Sequence, residues 1–289
     1  MLEQCVIFTD LDGTLLDHHD YSWQPASEAI SAAQSHNIPI IINTSKTRSE
    51  VNTLLVEMPL DSQPFVVENG SAIVFPSISG QLLSKLKNKS QYQVIDNQHV
   101  WVFGEKRHLL CKWLMNIREQ YSYKLESYQD WSTETIMEKT SLSENKALES
   151  QNKEFSEPFQ WFDTNENLSV FTQLAEAQGY SVLKGGRFYH LQGAVTKASV
   201  FDFFRNHQGV IFPDASSLKI IALGDNHNDV DMLNRADLAV CIKSPVNAFP
   251  SVSNSAVIYS HQIGPKGWNE ELLKLLQLLE IYYPVDTKI

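Results

Sequence analysis

The first apolar strand of this chain ends in a pair of carboxylates, and that arrangement constrains the fold more than any other stretch. Cys5 to Phe8 is an apolar run, and Asp10 and Asp12 follow it just before Gly13. A short apolar run bounded by a turn residue is typical of a buried strand in a parallel sheet. In open α/β sheets the ligand crevice lies outside the carboxyl ends of the strands. The pattern therefore predicts a ligand site around Asp10 and Asp12.

The chemistry of that site follows from its charge. Two neighbouring carboxylates need a cation or a proton beside them. Mg²⁺ fits, because it takes oxygen ligands from one or two carboxylates, from water and from a substrate phosphate. Asp10 is then placed to attack phosphorus as a covalent nucleophile. For an Asp-x-Asp string alone, the alternative is an acidic strand-end loop or Asx-turn without a chemical role.

Composition excludes several classes of partner. The 289 residues carry a formal net charge of -11, whereas binding to a nucleic-acid backbone usually leaves a basic footprint. Glu3 and Asp10 interrupt any apolar signal core, and no stretch reaches about 18 apolar residues. We expect a soluble, cytoplasmic protein, monomeric or weakly homo-oligomeric, without nucleic-acid or membrane partners. Cys5 and Cys241 lie in predicted strands and are expected to be buried thiols.

The next segments alternate between strand and helix patterns. Residues 27–36 and 49–58 have helical spacing, and 38–43 is a second apolar strand. This alternation predicts a right-handed, mainly parallel sheet. Thr44 follows the second strand, where a hydroxyl and free backbone N–H groups could hold a phosphate oxygen. The alternative is that Thr44 or Ser45 is an ordinary helix N-cap.

A hairpin and an insert follow. Residues 64–68 and 71–75 flank Asn69-Gly70, a strong turn signal that is compatible with a type I′ hairpin turn. From about 82 to 189 the alternation is lost, and strand-like pieces at 160–162, 180–184 and 187–192 mix with amphipathic helices at 107–121 and 165–178. We predict a discontinuous core, residues 1–83 and 191–289, that carries an α+β insert at 84–190.

The last third returns to the core pattern. The apolar strand 218–223 ends in Gly224-Asp225, and Asn228 and Asp229 follow shortly after. Asp225 can complete the oxygen shell of an ion held by Asp10 and the main-chain carbonyl of Asp12, while Asn228 and Asp229 orient water and ligands. Residues 238–242 are predicted as a strand, 260–268 as a loop and 269–281 as an amphipathic helix.

The string Asp10-Leu-Asp12-Gly13-Thr14 after an N-terminal apolar strand resembles the haloacid dehalogenase-like (HAD) phosphohydrolases. In that family the first Asp accepts the phosphoryl group and the second acts as acid and base, which implies these roles for Asp10 and Asp12. The resemblance also implies phosphate binding by Thr44 and Lys197. Ser45 and Lys46 are expected to contact the substrate, with Lys46 as an extra cation. Ala198 stands where the family usually has Gly.

The insert carries further strings that match. Glu154 to Phe159 and Lys184 to His190 together resemble the cap of the mannosyl-3-phosphoglycerate phosphatases, with Lys153 where that family commonly has Arg. This implies a Rossmann-like parallel sheet core with helices on both faces and an inserted α+β cap of the IIB type. It also implies a loop at the rim of the site and a set of substrate contacts: Glu68, Asn69, Glu157, Lys184, Arg187 and His190. Alternatively, Lys184 and Arg187 flank a hairpin for solubility and His190 is a packed strand residue.

The resemblance implies a Mg²⁺-dependent phosphatase that hydrolyses mannosyl-3-phosphoglycerate to mannosylglycerate through an aspartyl-phosphate. Phosphatases of glucosyl-3-phosphoglycerate or of another sugar phosphate remain alternatives, because residue types alone do not fix a sugar hydroxyl's configuration. A phosphomutase, or a non-catalytic phospho-acceptor or sugar-phosphate binding protein, would share part of the same motifs.

Overall fold

The computed structural model describes residues 2–60, 62–185, 187–212 and 215–282. The chain forms two compact units. The first is Met1–Asn43 with Arg205–Ile289, and the second is Thr44–Phe204. The strands are β1 (Leu2–Thr9), β2 (Ile40–Ile42), β3 (Phe65–Val67), β4 (Ala72–Phe75), β5 (Tyr92–Ile95), β6 (Gln98–Val102), β7 (Leu125–Ser127), β8 (Ser156–Trp161), β9 (Tyr180–Lys184), β10 (Tyr189–Gly193), β11 (Ala215–Gly224), β12 (Leu238–Lys243) and β13 (Val257–Ile263).

The helices are α1 (Ser27–Ser35), α2 (Arg48–Leu55), α3 (Gly80–Leu86), α4 (Arg107–Tyr121), α5 (Thr133–Thr140), α6 (Glu144–Gln151), α7 (Asn165–Ala177), α8 (Phe201–Asn206), α9 (Gln208–Ile211), α10 (Val230–Arg235) and α11 (Gly264–Tyr282). Short 3-10 turns stand at Gln24–Ala26, Tyr128–Asp130, Lys197–Val200 and His227–Asp229. Within the described residues, no helix is both long and apolar enough to cross a membrane.

The first unit is built on a parallel sheet. Its strand order is β13-β12-β11-β1-β2, and each neighbouring pair is parallel. Val6, Ile7 and Phe8 of β1 are fully buried, so both faces of this strand are covered, as a central strand of a parallel sheet requires. The predicted α/β fold with a parallel sheet core is confirmed, and so is the burial of the Cys5 and Cys241 thiols.

The second unit contains two antiparallel sheets. In the first, of order β3-β4-β6-β5, the predicted hairpin is present as β3 paired with β4. In the second, of order β7-β8-β10-β9, helices α4 and α7 pack through Leu110, Leu114 and Phe171 onto one face of the sheet. Side chains alternate across a strand, so the other face of this sheet carries the intervening residues, among them His190 and Gln192 of β10. The limits 84–190 for a separate cap domain stay a prediction.

One local prediction was wrong, and one hairpin was not predicted. Residues 260–268 are not a loop, since β13 runs to Ile263 and α11 begins at Gly264. Pro265 stands at the first turn of that helix, where a missing N–H costs nothing. The β5–β6 hairpin was missed, although its turn residues Asp96 and Asn97 both have positive φ, as Asn and Asp tolerate.

Candidate active site

The loop after β1 runs closely past the end of β11. The Asp10 backbone N–H donates to the Leu223 carbonyl at 2.9 Å. Gly13 has φ +83°, and a Cβ there would lie 2.8 Å from Asp225 Oδ2. The Thr14 hydroxyl donates to Asp225 Oδ1 at 3.0 Å. Glycine is therefore required at this turn for both conformation and space, and Thr14 fixes the Asp225 carboxylate beside it.

A second glycine brings Asp229 into the same place. A Cβ on Gly224 would lie 2.5 Å from the Asp229 Cβ, so only glycine permits this approach. Asp229 Oδ2 accepts the backbone N–H groups of Asp225 and Asn226, both at 3.0 Å. The Asn226 side chain caps the short 3-10 turn in which Asp229 lies. The backbone after β11 thus holds Asp229 firmly.

Three buried carboxylates meet at this end of the sheet. Asp10, Asp225 and Asp229 each offer an oxygen, and these oxygens lie within 4.8 Å of one another. Clustered carboxylate oxygens suit a hard divalent cation such as Mg²⁺, which would also offset their mutual repulsion. We had expected Asp229 only to orient ligands of the ion, but its carboxylate belongs to the cluster itself. Asp12 and Asn228 are half-buried on the same loops, and their roles stay predictions.

Thr44 is not the cap of the helix that follows it. The N-cap of α2 is Thr47, whose hydroxyl accepts the Glu50 N–H while the Glu50 carboxylate accepts the Thr47 N–H. Thr44 is fully buried, and its hydroxyl accepts the Lys46 N–H at 3.2 Å. Lys46 forms a 3.8 Å ion pair with Glu50. The N-cap alternative for Thr44 and Ser45 is therefore wrong, whereas phosphate binding by Thr44 stays a prediction.

Lys197 is buried rather than a surface lysine. Its side chain is fully buried at the start of the 3-10 turn Lys197–Val200. Thr196 caps that turn, and its hydroxyl and N–H pair with Ser199 in a capping box. A buried ammonium is stabilised by a compensating charge or by hydrogen bonds. A bound anion is one such partner, so this burial is compatible with a role in anion binding.

The loop Glu68-Asn69-Gly70 differs from a two-residue type I′ turn. All three residues have positive φ, and four residues separate β3 from β4. The Asn69 N–H donates to the Thr44 carbonyl at 2.9 Å, and its side chain donates to Gln192 at 3.3 Å. The loop therefore ties the segment around Thr44 to strand β10.

The substrate contacts predicted in the insert are not all on one side of its sheet. Glu157 is fully buried on the α4 face, where it accepts from Arg107 Nε at 2.6 Å, from the Gln129 N–H at 2.8 Å and from Cys111 Sγ at 3.3 Å. In the register of β8 and β10, Glu157 pairs with Leu191 and His190 pairs with Pro158. Glu157 and His190 consequently point to opposite faces, and one ligand on the sheet does not reach both.

The other predicted contacts are placed differently. Lys184 is exposed at the end of β9. The Arg187 guanidinium donates to the Thr140 carbonyl at the end of α5, so it caps a helix rather than facing an open site. The His190 ring nitrogen Nδ1 is buried and has no hydrogen-bond partner among the described residues. Among these predicted contacts, His190 therefore offers a buried nitrogen that can form a hydrogen bond with a ligand.

Burial makes His190 sensitive to acid. Burial, aided by the charge of Lys153, lowers the pKa of His190 from 6.5 to about 3. The unfolded chain takes up the proton at a higher pH than the folded protein. Acidification from pH 6.5 to about pH 3 therefore favours unfolding. We expect the free energy of unfolding to fall by up to about 1.4 kcal/mol for each pH unit below 6.5.

The comparison of His190→Gln with wild type in urea unfolding at pH 7 and pH 5 tests this expectation. The variant should lose less stability than wild type on acidification. His261→Gln, at an exposed position, is the matched control and should behave as wild type. An equal loss of stability in all three proteins would contradict the lowered pKa of His190.

Sequence reasoning missed two residues of this region. Arg48 donates to the Glu154 carboxylate through both Nε and Nη2, and to Asp96 at 2.7 Å, and thereby links α2 to the segment before β8. Lys153 Nζ donates to the Ser45 carbonyl at 2.8 Å. Arg48 gave no sequence signal, because its partners Glu154, Asp96 and Gln98 are distant in the chain. Lys153 was noticed only as a departure from Arg.

A parallel α/β sheet with an acidic cluster after β1 and β11 is an arrangement that could bind a divalent cation. The family model for haloacid dehalogenase-like hydrolases matches residues 7–261, and the chain belongs to this family. The comparisons support a phosphatase within the superfamily.

Two relatives align with nearly the whole chain. Both are named glucosyl-3-phosphoglycerate/mannosyl-3-phosphoglycerate phosphatase. The protein of Persephonella marina is 30% identical over 280 residues, which is 95% of this chain and 98% of its own length. That of Methanococcoides burtonii is 30% identical over 273 residues, 94% and 97% of the two chains.

Solved structures agree on the fold. A Thermoplasma acidophilum protein has a TM-score of 0.63 at 16% identity and covers 96% of this chain and 100% of its own. A HAD phosphatase from Bacteroides thetaiotaomicron scores 0.62 at 17% identity and covers 96% of each chain. A sugar phosphatase of HAD subclass IIB scores 0.58 at 14% identity, with 98% and 100% coverage. At these identities the likeness shows the fold alone.

Proposed function

We propose that this protein is a Mg²⁺-dependent phosphatase of glycosyl-3-phosphoglycerates, with the mannosyl compound as its expected substrate and the glucosyl compound as the alternative. The observation that carries the proposal is the cluster of Asp10, Asp225 and Asp229 oxygens within 4.8 Å of one another. The names of the two full-length relatives support the substrate class.

In the proposed mechanism Asp10 is the nucleophile. Its carboxylate oxygen forms a bond to phosphorus as the bond between phosphorus and the glycerate oxygen breaks. Asp12 donates a proton to that leaving oxygen. Water then attacks phosphorus, Asp12 takes up its proton, and the bond between phosphorus and Asp10 breaks to release phosphate. The reaction returns both carboxyl groups to their starting state.

The charge on the phosphoryl group requires cationic and hydrogen-bonding partners. Asp10, Asp225, Asp229 and the main-chain carbonyl of Asp12 would hold Mg²⁺, which supplies positive charge to the transferring phosphoryl group when bound. By resemblance, Thr44 and Lys197 bind phosphate oxygens. The burial of both side chains supports these assignments, since a buried hydroxyl and ammonium interact more strongly with an anion than exposed ones do.

The insert at 84–190 is proposed to bind the organic part of the substrate. The buried, unused Nδ1 of His190 supports a role for this residue toward a sugar or glycerate hydroxyl. Lys184 is exposed at the end of β9 and stays a proposed contact of the organic part. We withdraw Glu157 and Arg187 from the proposed contacts, because Arg107 and the Thr140 carbonyl already occupy them.

Phosphate release from a substrate panel tests the function. The panel is mannosyl-3-phosphoglycerate, glucosyl-3-phosphoglycerate, mannose 6-phosphate and 3-phosphoglycerate, each with Mg²⁺ and with a chelator. We expect release only with the metal, and a strong preference for the glycosyl-3-phosphoglycerates, with the mannosyl compound first. Release spread evenly over the panel would reject the substrate class, and isomerisation of a sugar phosphate without release would indicate a phosphomutase.

A further inference from the structure

Glu68 is a buried carboxylate that accepts hydrogen bonds from three donors of one segment. Oε1 accepts the Glu154 N–H at 2.8 Å and the Phe155 N–H at 3.3 Å. Oε2 accepts the Phe155 N–H at 3.2 Å and the Ser156 hydroxyl. Three donors therefore face this carboxylate, and the Phe155 N–H is shared between its two oxygens. These contacts turn Glu68 toward residues 154–156, which supports a structural role for it in place of the substrate contact that the resemblance implied.

The contacts of Glu68 are strong because they are buried. Burial raises the pKa of Glu68, and the Lys153 charge and the donated hydrogen bonds act against that rise. Backbone N–H groups that point at a carboxylate in a dry environment form charge-assisted hydrogen bonds. Glu68 therefore fixes the start of β8 and the residues just before it.

Lys153 stands directly before this fixed segment. Its ammonium donates to the Ser45 carbonyl at 2.8 Å, and its charge acts on both Glu68 and His190. His190 Nδ1 is buried and has no hydrogen-bond partner among the described residues. A cation and an imidazole nitrogen that is open to a hydrogen bond suit an anionic group that carries neighbouring hydroxyls.

We propose that Glu68 is a positioning residue, which holds the segment 154–156 so that Lys153 and His190 bind the organic part of the substrate, with Lys153 on its carboxylate. This inference rests on the proposed function for the identity of the substrate. Its structural half, the hold of Glu68 on the segment, is independent of any activity.

The structural half is tested without substrate. In Glu68→Gln the neutral amide oxygen can keep the Glu154 and Phe155 N–H groups while its NH₂ turns to the Ser156 hydroxyl, so the charge that strengthens these hydrogen bonds is lost. We expect hydrogen exchange at these two amides to accelerate about tenfold or more in the unliganded protein. Glu157→Gln is the matched control, since Glu157 is equally buried and contacts Arg107 instead. Unchanged protection in Glu68→Gln, or an equal change in both variants, would overturn the proposal.

The functional half is tested by a double-mutant cycle with the best substrate of the panel and with p-nitrophenyl phosphate. Glu68→Gln and Lys153→Gln should each raise KM for the glycosyl-3-phosphoglycerate about tenfold, with kcat changed less, because a charge-assisted contact is lost. The double variant should be no worse than the worse single variant, since Glu68 acts through Lys153. Turnover of the aryl phosphate should stay within about twofold of wild type.

Additive effects of Glu68→Gln and Lys153→Gln, or an equal loss on the aryl phosphate, would overturn the positioning role. The cycle of Glu157→Gln with Lys153→Gln serves as control and should be additive. If wild type released phosphate from no member of the panel, the proposed function would fail, while the exchange result would still stand or fall by itself.

Discussion

Asp10→Asn is expected to abolish phosphate release, with kcat reduced at least about a thousandfold, because the amide lacks the nucleophilic oxygen that forms the bond to phosphorus. Asn has the shape of Asp, so the fold should be retained. The variant also removes one charge from three close carboxylates, which reduces their repulsion without metal. Its melting temperature without metal should therefore be equal to or above that of wild type.

Steady-state phosphate release and thermal unfolding, both measured on the same preparation, check this expectation. Asp20→Asn is the matched control, since Asp20 is exposed in the same unit and its Oδ1 accepts the Ser22 N–H. It should retain full activity. Substantial turnover by a folded Asp10→Asn protein would contradict the assignment of the nucleophile.

Gly70→Ala is expected to destabilise the protein by at least about 3 kcal/mol. Gly70 has φ +90°, and a Cβ there would lie 2.0 Å from the Thr196 carbonyl oxygen. The positions of the Cβ and of the carbonyl oxygen are both fixed by the backbone, so no side-chain rotation can relieve this contact. The loop also carries Glu68 and Asn69, and its displacement should disturb the backbone before Lys197.

Urea unfolding of Gly70→Ala against Gly80→Ala measures the effect. A Cβ on Gly80 meets nothing within 4 Å, and this residue begins α3 in the same unit. Gly80→Ala should thus change stability by no more than about 0.5 kcal/mol. Equal stability of the two variants would show that the loop does not need its glycine.

The sequence was sufficient where chemistry and local pattern coincide. β1, its two carboxylates and Gly13 form one continuous string, and Gly224 to Asp229 form another, so their places at parallel strand ends could be predicted. α4 was predicted with its observed bounds because its apolar residues recur at helical spacing. Thr44 was correctly placed just after β2, although the residue that caps α2 is three positions further along.

The remaining features depend on contacts that are distant in the chain. The face to which Glu157 points depends on the register of β8 with β10, and a shift by one residue would reverse it. The hold of Glu68 on residues 154–156 joins strings that the sequence separates by more than 80 residues. Both strings were recognised as unusual, but no local rule pairs a carboxylate with a backbone N–H so far away.

The most direct test of the account is to identify the phosphorylated residue. Wild-type enzyme is mixed with Mg²⁺ and its best substrate, quenched in acid within one turnover, reduced with borohydride and analysed by peptide mass spectrometry. An acyl phosphate on Asp10 would be reduced to homoserine, so the account predicts that change at position 10 alone, and only with substrate and metal. Reduction at Asp12 or Asp225 instead, or at no residue while phosphate is released, would contradict it.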